Sequence, residues 1–316
     1  MQFRTLGRSS LQVSPLCLGG NVFGWTMTEA ESFPVLDALV GAGLNFIDTA
    51  DMYSVWVPGH HGGESETVIG NWLKRGAKRK DVVIATKVGM QMAPDRQGLS
   101  AAHIARSVEE SLRRLQTDYI DLYFSHCDDA SVPMEETLGA YQKLIAQGKV
   151  RAIGASNFTA VRMAEALEVS RKTGLPRYEV LQPQYNLYAR SGYESALEPL
   201  CLEQKIGVVS FSALASGFLT GKYRTAADAA KSLRGSGVVK NFLNERGLRI
   251  LAALDDVGRR HSASVASVAL AWQIARPSIT APIASATTVD QLNELVAATR
   301  LKLDPAALEQ LNAASR

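Results

Sequence analysis

The sequence has few cysteines and no long apolar run. Its three cysteines, Cys17, Cys127 and Cys201, are odd in number and far apart, which favours reduced thiols over a disulfide framework. No apolar stretch approaches the roughly 18 residues that a membrane-spanning helix needs. Residues 1–7 also lack the apolar core of a secretion signal. We therefore expect a cytoplasmic protein without a membrane partner.

An excess of charge of one sign is missing too. The chain has 34 basic and 31 acidic residues, a net charge of +3, and the basic residues are scattered rather than grouped. Such a distribution disfavours a nucleic-acid partner. With 46% apolar residues in 316, the chain can bury a large core, and we expect a single domain over residues 1–316. The sequence does not determine the oligomeric state.

The glycine-rich turn that marks an open dinucleotide-binding sheet is also missing. Residues 19–21 (GGN) do not match the G-x-G-x-x-G pattern, and residues 41–43 (GAG) follow a helical segment and read as a helix stop. Eight short apolar runs alternate instead with helical patterns or loops. This alternation predicts a closed (β/α)8 TIM barrel, with an open doubly wound sheet as the alternative. The runs centre on residues 16–18, 44–47, 82–86, 119–124, 150–154, 178–181, 207–209 and 279–283.

Several segments between these runs have the apolar spacing of a helix. The clearest follows a Ser100 cap, and its apolar residues recur near every 3.6 positions between residues 104 and 115. Two segments, residues 54–63 and 212–247, have no such period. Long loops on a rigid scaffold usually bind something, so we expect both at the functional face.

Four polar residues follow strand-like runs. Asp48, Lys87 and His126 are 39 residues apart each time (87 − 48 and 126 − 87), and Tyr53 lies five residues after Asp48. Since parallel strands of a barrel end at one face, these side chains should converge there. The interpretation without a function is a structural ion pair, a core tyrosine and a histidine satisfied by the backbone.

A carboxylate, an ammonium, a phenol and an imidazole brought together indicate proton transfer. A buried Lys87 needs an anion, and Asp48 on the neighbouring strand is its expected partner. We expect the ammonium to lower the pKa of Tyr53 from its reference of about 10, so that the phenol can exchange a proton with a substrate oxygen. His126 would donate a hydrogen bond to the same oxygen.

Several ordered motifs resemble those of the aldo-keto reductases. The resemblance runs over nearly the whole chain and implies a TIM barrel that uses a nicotinamide cofactor to reduce an aldehyde or ketone to an alcohol. It also implies that Tyr53 is the general acid, assisted by Lys87, Asp48 and His126. The motifs are residues 46–53 (FIDTADMY), 85–87 (ATK), 122–129 (LYFSHCDD), 154–158 (GASNF), 182–186 (QPQYN) and 219–223 (LTGKY).

The same resemblance implies a site for the nicotinamide end of the cofactor. Ser156, Asn157 and Gln182 match the positions that hold the carboxamide, which needs both donors and acceptors. Phe211 matches the ring that packs on the nicotinamide face. Asn157 could instead cap a helix, and Phe211 could be ordinary core.

For the pyrophosphate, the resemblance points to the loop after residue 211, where small residues let backbone donors approach and a lysine adds charge. Lys222 could instead be solvated. The predicted residues are Ser212, Leu214, Gly217 and Lys222.

Residues 284–291 resemble the segment that grips the adenosine phosphate. Ser285, Thr287 and Gln291 would contact it, helped by the donors of a helix N-terminus. The pattern from Thr288 to Gln291 is also a capping box, which explains it without a ligand. We expect NADPH as the cofactor, with NADH as the alternative.

Trp25, Trp56, Tyr53 and His126 should form an aromatic cup for a small carbonyl substrate. His60 and His61 lack the spacing of a metal site and should line or rim the mouth of this cup. Cys127 should be a small buried residue pointing away from His126.

The predicted function is therefore an NADP-dependent carbonyl reductase of the EC 1.1.1 class that needs no metal. One alternative is an accessory subunit that senses the nicotinamide nucleotide and turns over little. A metal-dependent hydrolase is a third possibility, but it would need more His, Asp or Glu residues at strand ends than the sequence offers.

Overall fold

The computed structural model describes residues 2–76 and 79–316, and eight parallel strands in it close into a barrel. The predicted (β/α)8 TIM barrel is confirmed, and all eight predicted runs contribute a strand. A two-stranded antiparallel hairpin of β1 (Arg4–Thr5) and β2 (Gln12–Val13) precedes it. The barrel strands are β3 (Cys17–Gly19), β4 (Phe46–Asp48), β5 (Val83–Val88), β6 (Ile120–Ser125), β7 (Val150–Ser156), β8 (Val180–Gln182), β9 (Gly207–Ser210) and β10 (Ala281–Ala284).

Helices cover the outside of the barrel. Seven of them begin at a side chain that accepts the hydrogen bond of a free backbone N–H, and the predicted Ser100 cap is one of these. The helices are α1 (Glu29–Gly41), α2 (Glu64–Gly76), α3 (Ala101–Leu115), α4 (Met134–Ala146), α5 (Ala160–Thr173), α6 (Ser191–Glu194), α7 (Leu197–Gln204), α8 (Gly235–Phe242), α9 (Glu245–His261), α10 (Val265–Ile274), α11 (Val289–Ala298) and α12 (Pro305–Ser315). Short 3-10 helices span Arg79–Asp81, Ala215–Thr220 and Ala226–Lys231.

The interior of the barrel is a small apolar core that is separate from the larger core between strands and helices. Because side chains alternate along a strand, every second residue of each barrel strand points inward. The β1–β2 hairpin lies against the same core with Leu6, Leu11 and Val13. From the strands, Cys17, Phe46, Val83, Ala85, Leu122, Phe124, Ala152, Val180, Val209, Ala281 and Ile283 fill it.

Two parts of the fold were not predicted. The hairpin strands are two residues each, too short for an alternating pattern to be recognised. The segment 212–247, expected to be irregular, contains two 3-10 helices, α8 and the first turn of α9. Its glycines and serines obscured the helical period. Within the described chain, every helix is too short or too polar to cross a bilayer.

We predict that Gly154→Ala lowers stability, because Gly154 faces the interior core. An added Cβ would overlap the buried ring of Phe124 and lie 3.0 Å from the Val180 carbonyl oxygen. Overpacking of this kind costs about 1–3 kcal/mol. The urea midpoint should therefore fall. Gly139→Ala, in α4 with open space around it, should raise the midpoint through helix propensity. Equal shifts in the two variants would contradict this account.

Candidate active site

Beyond the apolar core, each barrel strand has one more inward-facing position at its carboxyl end. At most of these positions the residue is polar. Asp48 follows Phe46 on the inner face of β4, Lys87 follows Ala85 on β5, and His126 follows Phe124 just after β6. Completing the ring at the carboxyl ends of the strands are Gly19, Ser156, Gln182, Phe211 and Ser285.

Lys87 lies at the centre of the predicted tetrad. Its side chain is fully buried, and its three donors each have an acceptor. Nζ lies 2.6 Å from Asp48 Oδ2, 2.9 Å from the Tyr53 hydroxyl and 2.8 Å from the Thr49 carbonyl oxygen. The first two contacts agree with the predicted pairing. The third involves a backbone atom, for which a sequence carries no signal.

The Tyr53 hydroxyl bridges the two charges, donating to Asp48 Oδ2 at 3.2 Å and accepting from Lys87. Burial raises the pKa of Tyr53 well above its ordinary value, and the Asp48 carboxylate raises it further. The expected lowering of this pKa was therefore wrong. Lys87 forms an ion pair with Asp48, so the phenol faces a nearly neutral pair and burial decides. Tyr53 stays protonated at neutral pH.

His126 completes the tetrad. Its ring centroid lies 6.1 Å from that of Tyr53, and the residue is 7% exposed. Burial, and then the charge of Lys87, lower the pKa of His126 well below its ordinary value. Within residues 2–76 and 79–316, its buried Nδ1 has no hydrogen-bond partner.

The predicted carboxamide residues connect to this tetrad. Gln182 is buried and donates its amide N–H to Asp48 Oδ1 at 2.9 Å, while the Ser156 hydroxyl donates to the Gln182 carbonyl oxygen. Asn157 donates to the His126 carbonyl oxygen and to Ser156 Oγ. It does not cap α5, whose N-cap is Thr159. These donors are used within the chain, so the amide oxygens of Gln182 and Asn157 are left as acceptors.

A cavity of about 1030 Å³ opens beside the tetrad. It reaches Asp48 and Tyr53, whereas His126, Ser156, Asn157 and Gln182 are not part of its lining. All the residues predicted for the stacking ring, the pyrophosphate and the adenosine end line it: Phe211, Ser212, Leu214, Gly217, Lys222, Ser285, Thr287 and Gln291.

The loop after β9 is held in an unusual backbone conformation along this cavity. Ser212, Ala215 and Ser216 have φ of 55°, 47° and 56°, a left-handed region that costs side chains energy and is concentrated at ligand sites. Two buried amides fix the loop. Asn186 donates to the Ser212 carbonyl oxygen at 2.8 Å, and Gln273 donates to that of Ala213 at 2.9 Å.

The segment after β10 uses its polar groups partly for itself. Thr288 is the N-cap of α11, as the capping interpretation suggested. The Gln291 side chain instead accepts from the backbone N–H of Thr287 at 2.9 Å and from its hydroxyl. Gln291 lines the cavity, and its Nε2 donates to no acceptor in the described parts of the chain. Ser285 donates to Asn21 Oδ1 at 2.6 Å.

Both predicted tryptophans line the cavity. The Trp25 and Trp56 rings meet edge to face at 5.3 Å between centroids, and Trp56 meets Tyr53 at 6.3 Å. We call the row Trp25, Trp56 and Tyr53 the aromatic row. Arg234, which the sequence did not single out, stacks on Trp25 at its far end.

Two smaller expectations concern His60, His61 and Cys127. His60 and His61 do not line the cavity. His60 Nδ1 lies 4.0 Å from Glu64 Oε1, and the His61 backbone N–H donates to the same oxygen at 2.9 Å. Cys127 is half-exposed rather than buried, because it lies in the loop beyond β6, with Sγ 3.6 Å from the Gly89 carbonyl oxygen. In the described ranges, no three His, Cys, Asp or Glu residues are grouped as metal ligands.

The fold places the chain among the TIM-barrel proteins with a site at the carboxyl ends of the strands. A model of the Aldo/keto reductase family matches residues 15–316. The chain therefore belongs to the aldo/keto reductase family, as the motif resemblance implied, and is an oxidoreductase of that family.

Individual relatives agree over nearly the full length. The uncharacterized oxidoreductase YrpG of Bacillus subtilis (strain 168) is 36% identical, over 99% of this chain and 95% of that protein. A probable voltage-gated potassium channel subunit beta of Oryza sativa subsp. japonica is 35% identical, over 93% and 90%. The versiconal hemiacetal acetate reductase of Aspergillus parasiticus is 31% identical, over 98% and 96%. This range includes both a named reductase and a named channel subunit.

We predict that the His126 imidazole of the folded protein stays neutral over the pH range in which an unfolded histidine gains its proton, because burial and Lys87 lower its pKa. The unfolded chain, with a histidine pKa of about 6.5, binds the proton more readily. This group therefore makes folding less favourable as pH falls through that value. The ring proton resonance, assigned by its loss in His126→Asn, should not titrate between about pH 6 and 8. Titration of that resonance in the folded protein, as in urea, would disprove the burial argument.

Proposed function

We propose that this oxidoreductase reduces an aldehyde or ketone to an alcohol, with Tyr53 as the general acid. The observation that carries the proposal is the contact of one buried ammonium with both Tyr53 and Asp48. Lys87 Nζ lies 2.9 Å from the phenol oxygen and 2.6 Å from the carboxylate, beside a cavity large enough for a substrate and a cofactor.

The raised pKa of Tyr53 suits the reducing direction. A phenol that stays protonated at neutral pH is ready to give its proton to a carbonyl oxygen that is becoming an alkoxide. As the proton leaves, Lys87 already donates a hydrogen bond to the oxygen on which the negative charge develops. Asp48 keeps the resting site neutral, so the lysine can remain charged without water.

His126 has the role of orienting the substrate carbonyl. Its ring is held neutral, and a neutral imidazole has one donor and one acceptor. The His126 ring lies edge to face with that of Tyr53, with centroids 6.1 Å apart. A carbonyl oxygen held at the Tyr53 hydroxyl would then have the imidazole N–H as a second donor and be aligned for protonation.

A nicotinamide dinucleotide fits the residues of the remaining cavity and, when bound, supplies the hydride for the carbonyl carbon. Phe211 lines the cavity and can pack on a flat ring. Gln182 and Asn157 lie outside that lining but bond to Asp48 and to the His126 carbonyl oxygen, and their amide oxygens remain as acceptors for a carboxamide beside the tetrad. Lys222 lines the cavity near Gly217. It pairs with no carboxylate in the described residues, so its ammonium is available to bind a phosphate.

We propose NADPH as the cofactor, with NADH as the alternative. Two features near the start of α11 support a phosphate there: the free Nε2 of Gln291 and the partial positive charge of the helix N-terminus. The Thr287 hydroxyl would join them by turning its hydrogen from Gln291 Oε1 to the phosphate. Glu294 also lines the cavity and is the feature that favours NADH, because a carboxylate repels phosphate and accepts from a ribose hydroxyl.

We further propose that residues 1–316 form one domain and that the enzyme is cytoplasmic. The near balance of basic and acidic residues, the three free cysteines and the lack of a membrane-spanning helix among the described residues support the second of these proposals. A small-molecule carbonyl compound is then its partner.

A nucleotide-sensing subunit is the second candidate, favoured by the relatives named as channel subunits. The rate of cofactor release separates the two. Release of the oxidised cofactor at a rate comparable to hydride transfer to an activated aldehyde, measured in a single turnover, supports an enzyme. Release many times slower than that single-turnover step supports a sensor.

We predict that Tyr53→Phe abolishes most turnover of 4-nitrobenzaldehyde while leaving cofactor binding intact. The variant removes the proton donor but keeps the ring and the Lys87–Asp48 pair, so loss of acid catalysis should cost at least about a hundredfold in kcat. NADPH oxidation and NADPH fluorescence titration measure the two quantities. Tyr119→Phe, outside the cavity, is the matched control. Full turnover in Tyr53→Phe would reject Tyr53 as the acid.

We predict that Lys222→Gln weakens binding of NADPH and NADH by the same factor, about tenfold, because a pyrophosphate is common to both. Fluorescence titration of the two nucleotides measures it, and the wild-type protein should prefer NADPH. Lys240→Gln, which removes one charge from α8 outside the cavity, is the control. A change confined to NADPH would assign Lys222 to the adenosine phosphate instead.

A further inference from the structure

Arg234 is a cation that lines the cavity, and none of the described residues supplies an anion beside it. Its guanidinium stacks on the ring of Trp25, with Cζ 4.6 Å from the ring centroid. Across residues 2–76 and 79–316, no carboxylate pairs with it, and its side chain donates no hydrogen bond. Partial burial lowers the pKa of Arg234. A guanidinium drawn out of water is normally matched by an acceptor, so this group has unused binding capacity.

The chain holds Arg234 in place. It precedes α8, and Gly235 lies so close to the Ala229 carbonyl that any side chain there would collide with it. The Ser232 hydroxyl is tied to the buried Tyr223 hydroxyl at 2.8 Å. These contacts fix the turn at residues 232–235 against the 3-10 helix before it. The backbone that carries the Arg234 guanidinium is therefore held in place.

The other cations of the cavity are accounted for. Lys231 pairs with Asp228 at 2.7 Å and donates to the Lys222 carbonyl oxygen. Lys222 lies near Gly217, in the loop that we assign to the cofactor. Arg234 instead extends to Trp25, on the loop after β3.

Trp25 belongs to the substrate side of the cavity. Its ring contacts Trp56 at 5.3 Å, and Trp56 contacts Tyr53 at 6.3 Å. The aromatic row thus runs from the proton donor to Arg234. A ring or chain lying along it would have its carbonyl at Tyr53 and its other end near the guanidinium.

We propose that Arg234 selects carbonyl substrates that carry a carboxylate at the end remote from the carbonyl group. The inference rests on the proposed function and adds the class of substrate. The planar guanidinium can bind both oxygens of a carboxylate at once, and Trp25 beneath it fixes the plane. The aromatic row supplies the apolar surface for the body of the molecule.

The test compares acids with their neutral esters as substrates of the NADPH-loaded enzyme. The pairs are 4-carboxybenzaldehyde with methyl 4-formylbenzoate, and 4-formylcinnamate with its methyl ester, which differ in length. For at least one pair, kcat/KM of the wild type should favour the acid. In Arg234→Gln that preference should fall by about ten- to a hundredfold, mainly through a higher KM for the acid, while kcat/KM for the ester is unchanged. Arg234→Lys should retain part of the preference, because the charge remains but the two parallel donors of the guanidinium are lost.

Lys240→Gln is the matched control, since it removes one charge from α8, the helix that follows Arg234, outside the cavity and should not alter the preference. A wild-type enzyme that prefers neither acid overturns the proposal. So does an Arg234→Gln variant that loses acid and ester activity equally while NADPH binds more weakly, because the guanidinium then serves the cofactor.

A binding measurement separates this inference from the proposed function. Calorimetry with 4-(hydroxymethyl)benzoate, in the presence of NADP⁺, needs no turnover. Binding to the wild type and a tenfold or greater loss in Arg234→Gln support the anion site even if no aldehyde is reduced. Equal binding to both proteins rejects the anion site even if esters are reduced well.

Discussion

The site depends on one buried ammonium being neutralised. Lys87 is fully enclosed, and such a charge would be too costly without Asp48 at 2.6 Å. Once the pair exists, its other contacts follow: the Tyr53 hydroxyl and the Thr49 carbonyl use the remaining donors, and Gln182 occupies the second carboxylate oxygen. The cluster leaves little freedom to any of its members, which is the condition for placing a proton with accuracy.

The closed barrel makes this cluster possible. Eight strands each contribute one inward residue past the apolar core, and these eight positions form a ring at one face. Strand register then decides which residues become neighbours: Lys87 pairs with Phe124 across β5 and β6, and Ser156 with Gln182 across β7 and β8. Asp48 on β4 and Gln182 on β8 are 134 residues apart and on strands that do not pair, and closure of the barrel brings them within hydrogen-bond distance across the ring.

The loops at that face are held by side-chain hydrogen bonds, whereas the strands are held by backbone pairing. Left-handed residues after β9 are held by the buried amides of Asn186 and Gln273, not by strand pairing. The same segment, residues 212–247, places Lys222 and Arg234 in different parts of the cavity. We propose that Lys222 binds the cofactor and Arg234 the substrate. This one segment then governs both affinities, and changes within it would leave the catalytic residues of the barrel unaltered.

Strand periodicity and ordered motifs were enough to predict the TIM barrel, its eight strands, and the Lys87–Asp48–Tyr53 contact, because alternation within a strand is a local property. They were not enough for the β1–β2 hairpin, the helices in residues 212–247, or the orientation of His60 and His61. The direction of the Tyr53 pKa, the use of Gln182 by Asp48, and the place of Arg234 on Trp25 also needed the tertiary structure. Each is set by burial or by a neighbour distant in the chain, and neither can be read from a residue and its local pattern.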